Sequence, residues 1–99
     1  MKKTKSMVYN PTVESKELHL YCDNKEVLYN QVTKCKINNL KKKMQKGIYD
    51  SEKAIASFYQ IATIGSDLYN KDFGYKFSVQ DRYTVAVDME REFREDYED

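Results

Sequence analysis

One proline and three glycines in 99 residues are too few turn-formers for a β-sandwich or barrel, which needs many tight turns. Gly47, Gly65 and Gly74 stand alone. The chain therefore has no glycine-rich phosphate loop, and it has no Gly-x-Ser-x-Gly nucleophile turn. His19 is the sole histidine, and Cys22 and Cys35 are the only cysteines; these three fit no metal-ligand spacing. No stretch approaches the roughly 18 apolar residues of a membrane span. The basic start, Met1-Lys2-Lys3-Thr4-Lys5, is followed by no apolar signal core. The expectations are a non-enzymatic protein without cofactor or metal, held in a cytoplasm with reduced thiols and in contact with no membrane.

What is present is charge, laid out unevenly. Eleven lysines against five acids give residues 1–50 a charge of +6, and six basic residues against eleven acids give residues 51–99 a charge of −5. The total of +1 hides this separation, which bears on partners and association rather than on fold. Nine tyrosines and four phenylalanines supply most of the large apolar area. That suffices for one modest core in a chain of this length.

Periodicity predicts an all-α domain. Residues 1–12 read as a flexible basic leader punctuated by Pro11, and residues 13–99 as a single helical domain. Glu17–Cys22 alternates like a short strand, and Asp23-Asn24 would serve as a hairpin turn. The helical alternative puts Leu18, Tyr21 and Cys22 on one face, with Asp23 capping a second segment through Val32. The helical reading is preferred, because a lone hairpin is marginal in water. Residues 35–46 form a short helix with Ile37, Leu40 and Met44 inward, stopped at Gly47.

Two long helices follow. The first spans about 51–73, capped by Asp50 or Ser51, with Ile55, Phe58, Tyr59, Ala62, Ser66, Tyr69 and Phe73 on one face and Gly74 ending it. Gly65 inside it costs about 1 kcal/mol relative to alanine and predicts close packing on another helix. The second spans about 78–97, opened by Ser78-Val-Gln-Asp81, a relative of the capping box, with Val79, Tyr83, Ala86, Phe93 and Tyr97 inward. A short connection makes the two antiparallel.

Three stretches carry a resemblance. They are Tyr9-Asn-Pro-Thr-Val-Glu14, Lys46-Gly-Ile-Tyr-Asp-Ser-Glu-Lys53 and Tyr69-Asn-Lys-Asp-Phe-Gly-Tyr-Lys-Phe-Ser-Val-Gln-Asp-Arg-Tyr83. In overall pattern the chain resembles small uncharacterised helical accessory proteins encoded by bacteriophages and mobile elements of gut bacteria. The resemblance implies expression in a bacterial cytoplasm. It implies no activity and assigns no site residues.

Two charged segments are candidate sites. Asp88, Glu92, Glu95 and Asp99 recur at i, i+4, i+7 and i+11, a stripe about 16 Å long on a helix, with Asp96 beside it. A line of carboxylates of this kind docks on a basic groove or imitates a phosphate strand. The plain alternative is a solvated face, supported by the i, i+4 pairs Glu90–Arg94 and Arg91–Glu95. Against it, acids and the terminal carboxylate crowd the negative end of the helix dipole, where cations would stabilise. Asp88 and Glu92 also lie one turn apart, but without a further ligand they make an incomplete cation site.

The second segment holds Lys34, Lys36, Lys41, Lys42, Lys43 and Lys46, candidates for phosphate contact. They surround the exposed arc of their helix rather than forming a stripe, and residues 1–50 contain no arginine, the usual reader of guanine. The aromatic linker Asp72–Phe77 with Tyr69 is either a binding surface or the packing of an interhelix corner.

The function expected first is binding and modulation of a host or phage protein or nucleoprotein, of an anti-defence type such as an anti-CRISPR. A nucleic-acid-binding helical protein is the alternative, and a structural homo-oligomer the third reading.

Overall fold

The computed structural model describes residues 9–98; positions 1–8, which hold most of the expected leader, and Asp99 lie outside the described residues. The chain runs α1 (Val13–Asn24), α2 (Glu26–Leu28), a π-helical turn (Tyr29–Thr33), α3 (Lys34–Gln45), α4 (Ser51–Phe73) and α5 (Val79–Glu98). The backbone stays helical from α2 through α3, so there are four helical rods and, among the described residues, no strand. The principal extents are 41 × 38 × 20 Å, and the shortest is about two helix diameters. No helix among the described residues is long and apolar enough to cross a membrane.

Local chemistry sets the boundaries of the long helices. The Asp50 carboxylate accepts from the Glu52 and Lys53 amides at 2.9 and 3.4 Å. These donors have no partner within the helix. Gly74 closes α4 at φ +73°, its amide donating to the Asn70 carbonyl, a left-handed position that favours glycine. Ser78 opens α5, its hydroxyl accepting from the Asp81 amide at 3.0 Å. Gly47, at φ +74°, ends α3 with two bonds, Gly47 N–H to the Met44 carbonyl and Ile48 N–H to the Lys43 carbonyl, the pairing of a Schellman cap.

The entry to α1 ties the chain together. Thr12 and Ser15 cap each other reciprocally at 2.9 Å, and the Thr12 hydroxyl donates onward to Asp81 of α5. The Asn10 amide donates to the Thr84 hydroxyl at 3.0 Å, and the Tyr9 hydroxyl to Asp88 at 3.0 Å. Residues 9–12 thus lie along α5.

Residues 17–29 form helices rather than a hairpin. The second helix is not capped by Asp23. α1 runs on through Asn24, the chain turns at Lys25 (φ −83°, ψ 100°), and no side chain caps the new start. Lys25 instead pairs with Asp72 at 3.1 Å, beside the Tyr21 hydroxyl on the same carboxylate. Next comes the π turn. Inward positions along this rod are Leu28, Val32, Ile37, Leu40 and Met44, and the step from 32 to 37 is one residue too long for an α-helix face. The Lys34 amide donates five residues back to Tyr29, which absorbs the extra residue and keeps the face turned inward.

The core is centred on Leu18, Leu28, Ile61, Thr84 and Val85. α4 and α5 are packed along each other, and α1 lies across both. Phe58, Ala62, Ala86 and Phe93 are buried as their spacing predicts. Tyr59 and Tyr83 are only half-buried; the Tyr59 ring is roofed by Arg82 at 5.6 Å. Phe73, Val79 and Tyr97, expected inward, are exposed; each stands at or next to an end of its helix, where fewer neighbours cover it. Gly65 is buried where α1 crosses α4, and a Cβ there would collide with Cys22 Sγ.

Candidate protein-binding cleft

α5 also carries polar groups into the interior. Glu90 is 2% exposed and accepts from the Tyr49 hydroxyl at 2.9 Å and from Arg94 Nε at 2.6 Å. The Tyr49 ring stacks on Phe93 at 5.8 Å. Burial and the neighbouring Glu90 carboxylate hold the Tyr49 hydroxyl well above its ordinary range. This cluster fastens the 46–50 connection to α5 and fixes the rotation of its C-terminal half.

Beside this cluster a cleft of about 630 Å³ lies between α5 and the rod of the π turn and α3. One wall is Tyr29, Thr33, Ile37 and Lys41; the other is Met89, Glu92, Phe93, Asp96 and Tyr97; Cys22 and Phe58 form the floor and Asp23 closes the α1 end. The α5 wall recurs at i, i+3, i+4, i+7 and i+8, one face of a helix. The opposite wall recurs every four residues, a spacing that drifts by about 40° per step in an α-helix. The wider π turn removes part of that drift. The floor is apolar: burial, with Asp23 adding repulsion, pushes the Cys22 thiol up to about 12, so it stays neutral.

The mouth is acidic. Asp23, Glu92 and Asp96 face a single cation, Lys41. At the shoulder, His19 Nε2 lies 3.6 Å from Asp23 and 3.3 Å from Glu92 without hydrogen-bond geometry to either, and the Thr33 hydroxyl is likewise buried without a partner. Among the described residues no group of three or more His, Cys, Asp or Glu side chains is placed to hold a metal ion.

The acidic stripe divides. Glu92 and Asp96 line the cleft, and Glu95 is exposed. Asp88 is engaged, accepting from Tyr9 and, at 2.7 Å, from Arg91. Asp99 lies outside the described residues. Glu90–Arg94 pairs as its spacing predicts, while Arg91 turns to Asp88, three residues back. In the basic segment, Lys36 donates to Gln60 of α4, and Lys34, Lys42, Lys43 and Lys46 are exposed. Lys41 is where the two charged segments meet.

Sequence reasoning missed Tyr29, Asp23 and the aromatic wall of Phe93 and Tyr97 as one surface. Their alignment depends on the π turn and on pairing between distant helices. In the 72–77 linker Phe77 is buried edge-on to Tyr69 at 4.8 Å and to Tyr75 at 4.9 Å, while Phe73 and Tyr75 stay exposed.

Comparison of the chain with protein-family models, with curated proteins and with solved structures finds no match.

Proposed function

We propose that this protein is a non-enzymatic accessory protein of a phage or mobile element that binds a host protein or nucleoprotein and modulates it. An anti-defence role, of the anti-CRISPR kind, is its concrete form, exercised in the bacterial cytoplasm. The observation that carries the reading is the convergence of Asp23, Glu92 and Asp96 on the mouth of an apolar, aromatic-walled cleft. A concave apolar surface with a few convergent polar groups is the usual form of a binding site. Carboxylates at its rim speed encounter with a basic surface and disfavour acidic ones. The phage assignment rests on the resemblance of the three quoted stretches.

Nucleic-acid binding is the second reading, favoured by the exposure of Lys34, Lys42, Lys43 and Lys46 on α3. A phosphate bound at Lys41 would meet Glu92 and Asp96 of the cleft, which repel it. Affinity purification from host lysate at low and high salt, with and without nuclease, separates the two. The first reading predicts a discrete protein recovered best at low salt and unaffected by nuclease. Recovery that disappears with nuclease contradicts it.

A further inference from the structure

We propose that the cleft receives a single amphipathic helix of the partner protein, one that buries an apolar face and carries lysine or arginine along its edge. This rests on the reading that the protein acts by binding another protein, and it names the segment recognised. The walls are themselves two helix faces, and the cleft between them holds about 630 Å³. From Tyr29 to Lys41 one wall is about 18 Å long, and from Met89 to Tyr97 the other is about 12 Å, at 1.5 Å per residue. A guest helix of two to three turns spans them. Recognition of this kind is read through anchors at i, i+3 or i+4, and i+7.

Ile37 and the Tyr29 and Tyr97 rings offer the apolar contact, over Met89 and Phe93, which are buried at the base of the cleft. Tyr29 and Tyr97 are already exposed, at 45% and 36%, so large rings face water until something covers them. Charge selects the guest. Three carboxylates against Lys41 favour a cationic helix, and the same groups oppose nucleic acid in the cleft.

The probe is a fluorescein-labelled helical peptide of about 15 residues, enough for a marginally stable helix. It has leucine and phenylalanine at the anchor spacing and lysine elsewhere. One control scrambles the sequence so that no apolar face forms; a second replaces lysine with glutamate. Fluorescence anisotropy should show salt-sensitive binding of the first peptide. The scrambled peptide should bind about tenfold more weakly, and the glutamate peptide more weakly still. Amide shift changes should map to Tyr29–Lys41 and Met89–Tyr97. Tyr97→Ala and Asp96→Lys alter exposed side chains and should each weaken binding several-fold, with circular dichroism unchanged.

Equal binding of the scrambled peptide overturns the proposal, as do shift changes confined to other faces. A DNA duplex that perturbs the same residues would assign the cleft to nucleic acid. Self-association abolished by Asp96→Lys would assign it to a second copy. If neutralising the stripe abolishes capture of the host protein while the peptide does not bind, the helix-in-cleft proposal alone falls. If the peptide binds but capture is indifferent to the stripe, it is the proposed function that fails.

Discussion

Gly65 and Cys22 meet at the crossing of α4 and α1 with no room for a methyl group between them: a Cβ on Gly65 would collide with the Cys22 sulfur and touch Leu28 at 3.4 Å. The contact sets how closely α1 approaches α4, and so the depth of the cleft floor that Cys22 forms.

Gly65→Ala should therefore destabilise, although alanine is favoured over glycine in a helix by about 1 kcal/mol. Overpacking of a filled core costs about 1–3 kcal/mol, and the Cys22 side chain must leave its place to admit the methyl group. Adding Cys22→Ala should relieve the clash and recover on the order of 1 kcal/mol beyond additivity. Denaturant unfolding of the four proteins of this cycle measures the coupling. Additive effects would mean that the helices cross farther apart.

The two thiols should differ sharply. Cys35 is exposed and Cys22 buried, so a thiol reagent near neutral pH should modify Cys35 in the native protein and reach Cys22 only on unfolding. Cys22 should also make the fold sensitive to alkali. Its thiol is raised in the folded protein from an ordinary value of 9.0 to about 12, so the unfolded chain ionises first. The stabilisation is complete below pH 9 and is lost as pH rises toward 12, at up to about 1.4 kcal/mol per unit. Tyr49, also raised, acts in the same direction at higher pH. Cys22→Ala should flatten the loss between pH 9 and 10 in melting experiments; an unchanged pH profile would contradict the burial of the thiol.

Tyr49→Phe removes the hydroxyl that donates to Glu90 while keeping the ring on Phe93. Arg94 still pairs the buried carboxylate, so the cost should be modest, about 1–2 kcal/mol. Thermal melting checks it. A loss above about 4 kcal/mol would show that Tyr49 alone sustains the Glu90 charge.

Much of the fold was legible because its signals are local. Asp50, Gly74 and Ser78 bracket the long helices through caps built within a few residues, and the period of Phe58, Ala62, Ala86 and Phe93 marks their inner faces. What escaped depends on distant partners. Lys25 breaks the first helix while bound to Asp72, forty-seven positions on, and the π turn resolves a conflict of register visible only once the inward face is known. Glu90 reads as a surface acid until Tyr49 is brought to it. The cleft joins residues near 30 to residues near 95, so the sequence offered its charges, at Lys41, Glu92 and Asp96, without their meeting.

The most direct test compares the wild type with the variant Glu92→Gln, Glu95→Gln, Asp96→Asn, measuring both thermal melting and capture of the proposed partner protein at low salt. Glu95 and Asp96 lie in the last turn of α5, at the negative end of its dipole, and Glu92 lies about a turn before them, so neutralising all three should leave the melting temperature unchanged or raise stability by roughly 0.5–1 kcal/mol. Capture should nevertheless fall, because the rim of the cleft has lost the charge that attracts and orients a basic partner. A folded variant that captures the same protein as efficiently as the wild type at low salt would contradict the claim that this acidic cleft is the protein's interaction site.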